Sequence, residues 1–205
     1  AVHTVPSRLL TTVPARSNPP GRQPRARLTD PANRIWVQFG GTGRHRAARH
    51  LVRGSPHSAR VPLNPHLHQQ EIESYLQQYY GVQQVLWVDE GIVGDDTDGH
   101  IDDTVRFFNE ESVITVVEPD KNDENHILLE HNLKQLKQMR LLNGKQLNIV
   151  ELPMPDPLYY EGQRLPCSYA NFLIANQSVI VPTFNSKKDD EALQIIQSCF
   201  PDRAI

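Results

Sequence analysis

Cysteine is scarce in this chain: 205 residues hold two, Cys167 and Cys199, with no CxxC spacing. That excludes a disulfide framework and a cysteine-based zinc site, and it fits a reducing cytoplasm. No apolar run approaches the roughly eighteen residues of a membrane span, and no secretory signal pattern opens the chain. A cytoplasmic protein without membrane contact is the expectation. Lysine is missing from residues 1–63, which carry eleven arginines and a single acid, Asp30, for a balance of +10. Residues 64–205 carry four arginines, six lysines and 23 acids, for a balance of −13. The overall −3 therefore hides two unlike parts.

The first part, 1–63, has frequent prolines and short isolated apolar pieces such as Arg34-Ile35-Trp36-Val37. Too little apolar surface is available to offset ordering entropy, so disorder is expected. A basic arm for an anionic partner is one reading. No aromatic interleaving or helical stripe organises the arginines, and no nucleic-acid partner is assigned. An out-of-frame translation of a GC-rich gene is the other reading.

Pattern begins at Asn64-Pro65. Over 69–80, Ile72, Leu76 and Tyr79 fall at helical spacing with Tyr75 and Tyr80 beside them, and Gly81 is a natural stop. Residues 82–88 read as a buried strand containing Trp87. Strands at 104–108 and 113–117 form a hairpin across Asn109-Glu110-Glu111-Ser112. A helix over 123–141 places Ile127, Leu129, Leu133, Leu136 and Leu141 on one stripe, ending at Asn143-Gly144. A strand at 147–152 precedes a proline-rich irregular loop through Tyr159-Tyr160. A second hairpin at 170–175 and 178–181 leads to a helix over 189–200, with Leu193, Ile196 and Phe200 inward. After Pro201-Asp202-Arg203, Ala204-Ile205 reads as the first step of a strand. Hairpin, helix and strand thus recur at about 70 residues, as in an assembly of repeated α/β units that the chain leaves unfinished.

Between the strands ending at 88 and starting at 104 lies GDDTDGHIDD, residues 94–103: five aspartates, two glycines, one histidine and no basic side chain. Like charges this dense need solvent or a cationic guest. A solvated loop is the plain reading. The apolar segments on both sides, and His100 two residues before Asp102, favour a fixed site. A calcium loop is not supported: no register brings oxygen ligands, glycine and a closing glutamate to the required positions. A guanidinium suits paired carboxylates, which accept its planar N–H donors in pairs. A histidine beside them carries protons near neutral pH. His100 and Asp102 would share a side if the backbone is extended there. A thiolate would be the fitting nucleophile.

Gly94-Asp95-Asp96-Thr97-Asp98-Gly99-His100-Ile101-Asp102 resembles the signature of agmatine deiminases, in the bacterial peptidylarginine deiminase-type family. Asn64-Pro65-His66-Leu67, Leu165-Pro166-x-Ser168-Tyr169-x-Asn171-Phe172 and Phe200-Pro201-Asp202-Arg203 agree in type and order, so the resemblance covers about 64–205. It implies a partial pentein fold, a five-bladed α/β-propeller of which about three units are present. It implies hydrolysis of agmatine through a cysteine thiouronium intermediate, with no cofactor and no metal. His100 would be the catalytic acid and base. Asp102 would grip the guanidinium, with Asp96 and Asp98 as further substrate-binding candidates. The family's nucleophile falls beyond the position of Arg203, so this chain alone is expected to be inactive. A homo-oligomer is possible for such an enzyme. Peptidyl-arginine as substrate, or a non-catalytic propeller remnant, are the alternatives. Cys167 reads as a small packed side chain, Cys199 as core, and His126 and His131 as solvent-facing. The Tyr159-Tyr160 pair reads as packing rather than as pocket lining.

Overall fold

A computed structural model describes β1 (His50–Gly54) and residues 67–95 and 100–205. The chain divides into two units: Ala1–Asn33 lies wholly outside the described residues, and Arg34–Ile205 holds everything that follows. β1 corrects the expectation of disorder over 1–63 at five positions, where the backbone pairs in parallel with β2 (Gln84–Val88). Between them runs α1 (Gln69–Tyr80). Glu71 accepts the His68 N–H at 2.8 Å at its start. Gly81, at φ +69°, ends it with an N–H bond to Gln77, in the left-handed conformation that glycine adopts without a Cβ clash. Ile72 and Leu76 are buried with Val82. Tyr79, expected on that stripe, is instead 54% exposed.

The hairpin expected next is present as β3 (Val105–Phe107) and β4 (Ser112–Val117), antiparallel with Arg106 opposite Ile114. α2 (Glu124–Gln138) follows, and β5 (Asn148–Pro153) returns parallel to β4. A second hairpin, β8 (Leu173–Ile174) with β9 (Val179–Ile180), precedes α3 (Asp189–Cys199), after which Ala204 bridges Ser178 in parallel. The same wiring is therefore used from Val105 and again from Leu173, and β1–α1–β2 shows its helix-and-strand half. The strand step expected at Ala204 is made. Ile114, Val116 and Leu152 of the sheet pack with Leu129 of α2 and with Ile196 and Phe200 at α3.

α2 departs from its expected stripe. Its inward positions are Asn125, Leu129, Asn132 and Leu136, while Ile127 is 73% exposed and the helix stops at Gln138. Leu141 is buried from the turn beyond the helix. On α3, Ala192 and Ile196 are buried and Leu193 is half-buried. The region expected to be irregular forms a short hairpin, β6 (Tyr159–Tyr160) with β7 (Gln163–Arg164). Its turn is Glu161 and Gly162, both at positive φ, the backbone that a two-residue hairpin turn demands. Tyr159 and Tyr160 are exposed rather than packed. His126, expected in solvent, is half-buried with Nδ1 2.6 Å from the Glu118 carbonyl oxygen. His131 is exposed, 3.7 Å from Asp89. Cys199 is half-buried against the main core. Among the described residues no helix is long and apolar enough to cross a membrane.

Candidate active site

The acidic loop leaves the end of β2 through Ile92, buried in the main core, and its backbone is pinned by amides. Asn132 accepts the Glu90 N–H at 3.0 Å and donates to the Glu90 carbonyl at 2.7 Å. Asn125 accepts the Val93 N–H at 2.7 Å. Both asparagines are at most 1% exposed. Buried backbone groups need partners, and these two side chains supply them from the inward face of α2.

Gly94 comes next, at φ +96°, with its Cα flush against the backbone of Arg164, Leu165 and Pro166. A Cβ there would lie inside van der Waals contact of the Arg164 carbonyl oxygen and 3.0 Å from Leu165 C and Pro166 N. Gly94→Ala should therefore cost at least about 2 kcal/mol through strain and overpacking. Chemical denaturation should show a lower midpoint, and an unchanged one would mean that the loop moves aside freely.

Asp95, its side chain 4% exposed, then faces His100: the His100 N–H donates to Asp95 Oδ2 at 2.7 Å and Nδ1 lies 3.4 Å from Asp95 Oδ1. Asp96 and Asp98, the further substrate-binding candidates, lie outside the described residues, as do Asn64, Pro65 and His66. After His100 the backbone is not extended. Ile101–Asp103 form a 3-10 turn, held by Asp103 N–H to His100 O and Thr104 N–H to Ile101 O. The condition under which His100 and Asp102 would share a side fails there. Ile101, 3% exposed, anchors the turn in an apolar cluster with Val88, Val105 and Phe107.

Asp103 is the carboxylate that the turn brings to His100. One ligand atom each from Asp95, His100 and Asp103 all lie within 4.8 Å of one another. Among the described residues this is also the group with spacing suited to a metal ion. Asp103 is 5% exposed and accepts Asn171 Nδ2 at 3.0 Å, while Ser168 Oγ donates to its carbonyl at 2.7 Å. Arg106 donates to the Ala170 carbonyl at 2.9 Å and lies over the Phe172 ring at 4.6 Å. The loop entering β8 is thus latched onto the turn. Burial, together with the charges of Asp102 and Asp95, pushes the Asp103 carboxyl up to about 7, against the pull of Asn171 and Arg106. Burial lowers the Arg106 guanidinium, against the support of Asp102 and Asp103. Asp102 Oδ1 and Arg106 Nε are buried without a hydrogen-bond partner among the described residues.

The sequence points to His100 and Asp102; the structure sets the carboxylates of Asp95 and Asp103 beside His100, and Arg106 within electrostatic reach of Asp102 and Asp103. The run Ser168-Tyr169-x-Asn171 was visible as a motif, but its role as the latch on Asp103 was not. Neither thiol is activated. Burial raises Cys167, with Arg164 opposing and Asp103 adding, and burial raises Cys199.

Residues 58–205 match the family described as Porphyromonas-type peptidyl-arginine deiminase. The chain belongs to this family. The match begins six residues ahead of Asn64. Among its deiminase relatives, the agmatine deiminase of Pseudomonas aeruginosa is 34% identical over 160 residues, covering 69% of this chain and 44% of that protein. The agmatine deiminase of Ectopseudomonas mendocina is 32% identical over a similar span. Of solved structures, a C. jejuni agmatine deiminase with substrate bound aligns at TM-score 0.72 and 30% identity, over 82% of this chain and 47% of that one. The Enterococcus faecalis agmatine deiminase aligns at 0.70 and 28%, over 78% and 49%. The chain spans 40–44% of the length of the curated relatives it matches. The fold is the mixed α/β pentein type of these deiminases.

Proposed function

We propose that the protein hydrolyses the guanidine group of agmatine to N-carbamoylputrescine and ammonia, a step toward putrescine. The observation that carries the reading is the buried Asp102 carboxylate oxygen, unmatched among the described residues, that follows directly on the Asp95–His100 pair. A buried acceptor without a donor is costly, and a guanidinium N–H would satisfy it with a charge-assisted bond. In the proposed reaction a thiolate adds to the guanidinium carbon and ammonia leaves with a proton from His100. Water, deprotonated by His100, then adds to the thiouronium carbon, and the thiolate departs. The nucleophile is assigned to neither Cys167 nor Cys199, whose thiols are both raised. The relatives named agmatine deiminase support this substrate, as does the C. jejuni structure, a cysteine-to-serine variant with substrate bound. The five-bladed arrangement, of which this chain would hold about three units, is part of the same proposal, as are Asp96 and Asp98 as substrate contacts.

Ammonia release from agmatine by the natural protein carrying this chain is the test. Asp102→Asn should weaken kcat/KM by roughly 10- to 100-fold, the worth of one hydrogen bond to a charged group. An unchanged value would remove Asp102 from the site. The family's own description favours a second reading, peptidyl-arginine as substrate. Faster ammonia release from a blocked arginyl peptide than from agmatine would establish it.

A further inference from the structure

Arg203 ends the Phe200-Pro201-Asp202-Arg203 stretch, a motif that the candidate active site does not use. The residue is 9% exposed, yet Pro201, Asp202, Ala204 and Ile205 around it are all exposed, so it sits on a surface segment. Its Nε and Nη1 are buried without a hydrogen-bond partner, and no carboxylate among the described residues pairs with it. An arginine just past a helix ordinarily directs its N–H groups to the last carbonyls. Here Gln197 takes that place, its Nε2 donating to the Phe200 and Arg203 carbonyls at 3.1 Å and 2.9 Å. The guanidinium lies instead 5.6 Å from the centre of the Phe200 ring, which meets Phe108 and Phe172 edge-on. A ring face attracts the charge but supplies no lone pair to the N–H donors.

We propose that Arg203 is the centre of a carboxylate-binding site beyond the end of α3, separate from the candidate active site. A buried cation left unmatched is costly, and a carboxylate meets two donors of a guanidinium at once in its planar fork. A monoanion also matches the single charge. A phosphate dianion would meet the −13 balance of residues 64–205 with no second cation close in sequence. The nearest, Lys188, precedes α3 at its opposite end. The carboxylate comes from a small molecule or from an Asp or Glu of the natural protein carrying this chain, and the experiment separates the two.

The test is an NMR titration of the full chain with sodium acetate, with sodium chloride at equal ionic strength as control. The Arg203 Nε–H signal, assigned by its loss in Arg203→Gln, should shift to saturation with a midpoint of roughly 1–10 mM, the strength of two charge-assisted bonds. Chloride should leave it in place. Arg203→Lys keeps the charge and loses the fork, and should raise the midpoint about tenfold, read at the Ala204 backbone N–H. That variant decides the matter if Arg203→Gln does not fold. A shift that fails to saturate, the result expected if water alone satisfies the donors, overturns the proposal. So does a shift that chloride reproduces, or a midpoint unchanged in Arg203→Lys. The same titration of the natural protein carrying this chain identifies the source. Saturation there as well assigns a small carboxylate. A silent Arg203 signal whose N–H is protected from hydrogen exchange assigns an Asp or Glu of that protein, and a silent signal without such protection overturns the proposal.

Discussion

Replacing His100 with alanine should lower agmatine turnover by roughly 100- to 10,000-fold, the range over which a positioned acid–base group contributes. The side chain is 25% exposed and belongs to no apolar cluster, so its removal costs little packing. The loss should therefore appear in kcat with an unaltered thermal midpoint. Asp95 is the natural control. Asp95→Asn keeps an acceptor for the His100 backbone N–H but removes the charge facing Nδ1, and should give a smaller loss with a displaced pH profile. A His100→Ala variant that retains more than a tenth of its turnover would mean that the proton is carried elsewhere.

The second large effect concerns stability. Arg164 and Asp123 form a two-bonded pair at 2.8 Å and 2.8 Å, with side chains 8% and 7% exposed. Leaving one buried charge unmatched costs about 3–5 kcal/mol, so Arg164→Ala should lower the urea midpoint accordingly. Asp123 also caps α2 by accepting the Asn125 N–H at 2.8 Å. Burial pushes the Asp123 carboxyl up, but the Arg164 bonds and the Asn125 N–H outweigh it and hold the group below the usual carboxylate range. Such a depressed group stabilises the fold fully above its unfolded pKa. The contribution is lost as pH falls through the lower folded value. Arg164→Ala should therefore flatten the acid side of the stability curve. An acid transition as steep as the native one would show that the pair contributes no linkage.

The helices, the first hairpin and the recurrence of the unit could be read from sequence because apolar spacing and stop signals are local. Gly81 and the turn from Asn109 to Ser112 announce themselves. What was missed depends on partners far along the chain. Asn125 and Asn132 occupy helical spacing with Leu129 and Leu136, but as polar residues they do not register in an apolar stripe, whereas Ile127 does. Their burial is satisfied only by the backbone of Glu90 and Val93. β6 and β7 are too short to show a period, and only Glu161-Gly162 marked the turn. At the site, the charge pattern and His100 were legible. The choice between Asp102 and Asp103 as the neighbour of His100 turned on a three-residue 3-10 turn, set by the burial of Ile101.

The amide anchors of α2 have a thermodynamic corollary for any guest of the loop. A loop ordered by its ligand subtracts that ordering entropy from affinity. Here the approach to Asp95 is tied by three hydrogen bonds from two asparagines, and the exit at Asp103 by Ser168 and Asn171. The entropy of placing those two carboxylates is therefore charged to folding. Under the proposed function, a guanidinium arriving at Asp102, one residue before the Asp103 anchor, would find its acceptor already in position, and its binding enthalpy would not be spent on organising it.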